Sequence, residues 1–182
     1  MEKIAEICGI EFYYIQDSKF KSDAVAVNFC DRLTKERAYK NALLPALLWR
    51  GCKKYPSSKA LSIRCQELYG SMIMTDVGKR SEIQHMVFTA DYLKPEYAKP
   101  CNRGNDEAVG SDIEDEIFSL LIDVITDPFT IDGGFDEKYF NQERTNLDND
   151  ILAEKNDKQH YAMKRCREIM CENEAFGLSE LG

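Results

Sequence analysis

From Ala38 to Trp49 the chain is apolar almost all the way round a helix: Ala38, Ala42, Leu43, Leu44, Ala46, Leu47, Leu48 and Trp49 leave little of the circumference for water. A helix of that kind has to be covered on most sides by the rest of the fold. Thr34 can cap it and Gly51 stops it. Pro45 lies inside the run, where it lacks a backbone donor and crowds the preceding turn. Either the helix kinks at Pro45, or it begins near Asn41 and Pro45 falls in its first turn, where the missing donor costs little.

The flanking segments supply the cover. Residues 10–15 and 24–30 are β-branched and aromatic runs separated by polar turn residues, and they read as two adjacent antiparallel strands. After Tyr55-Pro56, Ser57 or Ser58 caps a helix carrying Leu61, Ile63, Cys65 and Leu68, which ends at Gly70. Ser71–Gly78 and Glu82–Tyr92 read as two more strands, and Lys94 to Gly110 as a polar surface loop. Ser111-Asp112 opens an amphipathic helix with Ile113, Ile117, Leu120, Leu121, Val124 and Ile125, which Asp127-Pro128 breaks. Further helices run from Glu137 to about Glu154, behind Asp136, and from about Lys158 to Cys171. This order predicts an α+β layer, an antiparallel sheet with helices packed on one face, within a single domain over residues 1–182. The stretch Leu178–Gly182 carries no closing element, so the chain is expected to be truncated at its C-terminus.

Charge and composition narrow the partners. The net charge is −8, and the basic groups Lys53-Lys54 and Lys35/Arg37/Lys40 read as solvated helix faces, which argues against nucleic acid. No apolar run approaches the length of a membrane span, and the first ten residues lack a secretory pattern. Seven scattered cysteines with no C-x-x-C pair read as reduced thiols, and the expected location is cytoplasmic. The acidic stretch Asp106–Glu116 lacks the ligand ladder of a calcium loop.

The residues offer little chemistry. A catalytic zinc takes about three side-chain ligands, commonly with two histidines one turn apart. His85 and His160 have no local partner of that kind. Nucleophile elbows and phosphate-binding glycine loops are missing; Gly133-Gly134 stands alone. The acidic pairs Asp115/Glu116 and Glu143/Asp150 read as ordinary helix acids. The residues therefore predict no catalytic site, no metal and no cofactor.

One stretch is more specific. Leu47-Leu48-Trp49-Arg50-Gly51-Cys52-Lys53-Lys54-Tyr55-Pro56-Ser57 resembles the segment after the zinc helix of the insulinase/pitrilysin-like (inverzincin) peptidases, which include mitochondrial processing peptidase. In that family H-x-x-E-H is followed, four residues on, by Gly, a small residue, two variable residues, an aromatic and Pro. Glu67-Leu68-Tyr69-Gly70 with Met74-Thr75, then Asp127-Pro128, then Phe140-Asn141-Gln142-Glu143-Arg144 match further pieces in the family's order. The matches span roughly residues 20–170.

The resemblance places the five motif positions on Ala42-Leu43-Leu44-Pro45-Ala46. Both histidine ligands become alanine, at Ala42 and Ala46, and the general base becomes Pro45. The family's third ligand, a Glu seven residues after one matched by Glu143, becomes Asp150. The resemblance thus implies a non-catalytic member with a mitochondrial-processing-peptidase-like fold, forming the N-terminal part of a longer two-domain or four-domain protein. It implies a heterodimer in which an active subunit carries H-x-x-E-H and this chain helps to hold a peptide, by strand addition at Ser71–Gly78 or Glu82–Tyr92. Within the family, Ala42–Gly70 is similar to a bacterial peptidase-like group linked to modification of elongation factor P. Two other readings stay open: an active zinc peptidase whose site is built from His85, His160, Asp150 and a cysteine, and a binding or scaffold module of similar shape.

Overall fold

The structure is a computed structural model, and it describes residues 1–98 and 113–182. Most of the expected loop from Lys94 to Gly110, the Ser111-Asp112 helix start, the acidic residues up to Asp112 and Cys101 lie outside the described residues.

Five strands are arranged in two antiparallel sheets. β1 (Glu2–Ile7) and β2 (Ile10–Tyr14) form a separate hairpin. β3 (Ser22–Arg32), β4 (Met72–Arg80) and β5 (Ile83–Leu93) form a sheet in the order β3-β5-β4. The expected pairing of the 10–15 and 24–30 runs is therefore corrected: β2 pairs with β1, and β3 pairs with β5 along its whole length. The reason lies in Cys8 and Gly9, with φ of 52° and 80°. Two successive left-handed residues make the tight turn that joins Ile7 to Ile10. The charged Glu2, Lys3 and Glu6 hide β1 from a reading based on apolar alternation.

Alternation then decides which face of the larger sheet is covered. Val25 and Val27 stand opposite Ala90 and Phe88, and Ile73 stands opposite Ala90 from the other side. These residues join one core with Ile113, Ile117, Leu120, Leu121 and Val124 of α3 (Ile113–Thr126) and Leu61 and Cys65 of α2 (Ser58–Glu67). Gln84 has the same parity on β5 and donates to the Ala38 carbonyl of α1 (Lys35–Leu48) at 2.9 Å. On the opposite face Ala24, Ala26, Asn28 and Cys30 of β3 and Met72, Met74 and Asp76 of β4 are exposed. The fold is α+β, an antiparallel sheet covered by helices on one face. Among the described residues no helix is long and apolar enough to cross a membrane.

Helix α1 begins at Lys35, so Pro45 stands well inside it rather than in its first turn. Pro45 is buried, and its carbonyl accepts from the Trp49 N–H at 3.1 Å. Ser57 caps α2, its hydroxyl accepting from the Ala60 N–H at 3.2 Å.

The turn between these helices explains its own sequence. A Cβ on Gly51 would lie 2.8 Å from the Pro56 and Ser57 backbone, so only glycine lets the two strands of the turn meet. Cys52 and Tyr55 exchange both backbone bonds at 3.0 Å. The Lys53 N–H donates to the Asp127 carbonyl at 3.0 Å, and the Phe129 N–H to the Gly51 carbonyl at 2.9 Å. Two sequence matches 76 residues apart, at Gly51 and Asp127, are thus stitched together. Gly51→Ala is expected to lower stability by about 1–3 kcal/mol, the usual cost of forcing extra volume into packed backbone. The check is thermal unfolding, with Tm falling by roughly 2–12 °C.

Candidate functional site: the seam between α1 and α4

Helix α4 (Glu137–Ala153) lies against α1, and the interface is built from side chains too apolar to leave in water. Ala42, Leu43 and Leu47 of α1 bury with Leu147 of α4, flanked by Tyr39, Val77, Phe135, Ile151 and Leu181. Asp136 sets the start of α4, its carboxylate accepting from the Lys138 N–H at 2.8 Å.

The four positions singled out by the resemblance fall on these two neighbouring helices. Ala42 is buried in the seam, Pro45 is buried beside it, Ala46 is half-buried, and Asp150 is exposed on α4 one turn beyond Leu147. None of the three α1 side chains carries a donor atom. Asp150 alone offers a carboxylate, one ligand where zinc takes about three from the protein.

Glu143, the buried acid two turns before Asp150, is already engaged. Its carboxylate takes the Arg50 guanidinium on one oxygen and the Asn146 amide at 3.2 Å on the other. Arg50 also lies over the Tyr139 ring, 5.2 Å from its centroid. Tyr39 donates to Asp148 at 2.7 Å, and burial together with that bond raises its phenol above the ordinary value. The sequence names Glu143 as a motif match but carries no sign that Arg50, at the end of α1, would reach it.

The other candidates do not assemble. Among the described residues no three His, Cys, Asp or Glu side chains come together as metal ligands, so His85, His160, Asp150 and a cysteine do not form a site there. His85 lies on the open face of β5, in register with Cys30 and Gly78 and resting over Gly78. His160 is exposed in the first turn of α5 (Lys158–Met170). Glu116 is held by Arg64, which removes it from a free acid pair with Asp115.

Residues 176–181 lie against the body of the fold. Lys79 donates to the carbonyls of Phe176, at 3.0 Å, and Leu178. Gln84 donates to the Glu180 carbonyl at 2.6 Å, Lys164 to the Ser179 hydroxyl at 3.0 Å, and Leu181 enters the seam. Burial, with Arg167 nearby, pulls the Lys79 ammonium below its ordinary value. This device uses isolated side chains and backbone carbonyls, so no apolar period announces it in the sequence.

No family model matches the chain. It is 28% identical over 170 residues to a Bacillus subtilis (strain 168) protein named "Probable inactive metalloprotease YmfF", a match covering 93% of this chain and 38% of that protein. The crystal structure of a conserved protein from Enterococcus faecalis V583 superposes with a TM-score of 0.79 at 24% identity, covering 92% of this chain and 37% of that one. The chain therefore spans little more than a third of either protein's length. Over most of its own length it is similar in sequence to a metallopeptidase-like protein, and it shares its α+β fold with the Enterococcus faecalis protein.

Proposed function

We propose that this chain is a non-catalytic zinc-peptidase homologue of the insulinase/pitrilysin-like family, with the fold of mitochondrial processing peptidase and its site replaced by core packing. In this reading it forms the N-terminal part of a longer cytoplasmic bacterial protein, of the group linked to elongation factor P modification. It acts as the inactive half of a heterodimer whose other subunit carries H-x-x-E-H, and it helps to enclose the peptide that subunit cleaves. The observation that carries the reading is the α1–α4 seam: Ala42 sits in an apolar cluster with Leu147, and Ala42, Pro45, Ala46 and Asp150 together offer one carboxylate. The name of the Bacillus subtilis relative supports it.

Strand addition is the natural way for such a subunit to hold an extended peptide. β5 is paired on both sides and cannot serve, which removes Glu82–Tyr92 as the receiving edge. β4 has no second partner strand among the described residues, which leaves Met72–Arg80. Affinity purification from the native cell tests the reading. The expected result is a stoichiometric partner with an intact H-x-x-E-H motif, and a purified chain that cleaves no unfolded peptide alone. Stoichiometric zinc with peptidase activity in the isolated chain would overturn it, as would purification without any peptidase-like partner.

A further inference from the structure

The Lys79 side chain is buried with more protons than acceptors. It lies near the end of β4, in register with Gln84, and is 7% exposed. An ammonium carries three N–H donors. Two are met by the backbone carbonyls of Phe176, at 3.0 Å, and Leu178. The third has only the Glu180 carboxylate, 4.0 Å away and beyond hydrogen-bond reach. A neutral amine has two N–H donors, so it would serve the same two carbonyls and leave no proton over.

The neighbours decide which form the fold prefers. From α5, Arg167 and Lys164 bring two positive charges towards Lys79 and Glu168 brings one negative charge; Glu180 brings another, and Gln84 on β5 is neutral. Lys164 is engaged by Glu154, and Glu168 by Arg165. Arg167 is less well served. Its Nε is buried with no hydrogen-bond partner among the described residues. Its guanidinium lies over the Phe176 ring, 5.9 Å from the centroid, and the Lys79 ammonium lies over the same ring at 5.7 Å. Two cations thus share one aromatic ring in a place poor in water. Burial first, and then the Arg167 charge, outweigh the pull of Glu180 and hold the ammonium below its ordinary value.

We propose that residues 176–181 are held by a proton-linked clasp, which grips the Phe176 and Leu178 carbonyls more tightly once Lys79 has released its third proton. The inference concerns this cluster alone and does not rest on the peptidase-like reading. Because the fold releases that proton at lower pH than the unfolded chain does, the stability the clasp contributes rises with pH between the two titrations. Below that window both states carry the charge, and above it neither does. Cys65 and Tyr92 act in the opposite sense at high pH, since burial raises both, the tyrosine to about 12. The test is therefore a difference between two chains. Urea midpoints of the full chain and of Lys79→Met are compared at about pH 7.5 and about pH 9.5, both below the ordinary lysine value of about 10.4. The advantage of the wild type is expected to widen at the higher pH; an advantage that stays constant or narrows overturns the proposal. Side-chain NMR of the lysine-labelled wild type decides the matter even where the variant fails to fold. The Lys79 Cε signal is expected to titrate at lower pH than those of the exposed lysines. Titration of Lys79 together with them overturns the proposal.

Discussion

Arg50→Ala is expected to destabilise the fold by about 3–5 kcal/mol, the range for removing one partner of a buried ion pair. Glu143 is largely buried and meets Arg50 across the helix interface, so truncation leaves a carboxylate with only the Asn146 amide for company. The loss is set by the stranded charge more than by the attraction itself. The double variant Arg50→Met, Glu143→Leu is therefore expected to lie much closer to wild type, since apolar replacement of both partners is often neutral. Urea unfolding of the wild type, the single variant and the double variant provides the check. Equal loss in the single and the double variant would show that the pair contributes packing rather than charge compensation.

Installing the missing ligands is expected to create a zinc site. A chain carrying Ala42→His, Pro45→Glu, Ala46→His and Asp150→Glu would place two histidines one helical turn apart on α1 and a longer carboxylate on the neighbouring α4. The expected outcome is about one zinc per chain by elemental analysis, against none for the wild type. Zinc should also raise stability by about 2.7 kcal/mol when the free metal stands 100-fold above its Kd. A folded variant that takes up no zinc would show that position 150 does not face positions 42 and 46, and the correspondence with a peptidase site would fail. The imidazole introduced at position 42 must enter the apolar cluster now filled by Ala42, so the metal-free variant is expected to be less stable than wild type.

Much of this architecture could be read from residues because long, strongly periodic segments dominate it. The run in α3 from Ile113 to Val124 and the apolar girdle of α1 each demand burial, and each is in the core. What escaped the sequence were features set by single residues. A turn made by Cys8 and Gly9 moved β2 from β3 to β1. Pro45 was compatible with two helix starts, and tertiary packing chose Lys35. The seam could be placed only through a resemblance, since Ala42, Pro45 and Ala46 are ordinary core residues with no chemical signal of their own. The bonds from Lys79 and Gln84 to the last carbonyls join segments about a hundred residues apart, a separation no local pattern reports.

Those same bonds govern the order in which the molecule can be made. The cluster around Ala42 and Leu147 takes Leu181 as one of its walls, and Gln84 ties the Ala38 carbonyl to that of Glu180. Contacts spanning so much of the chain form late, because their loops must close before they contribute anything. During synthesis the sheet and the α3 core can assemble from residues up to Thr126, while one apolar flank of α1 stays bare until α4 and then Leu181 have emerged. For that interval the nascent chain presents a hydrophobic stripe on α1, the kind of transiently exposed surface that makes a partly folded chain prone to aggregate.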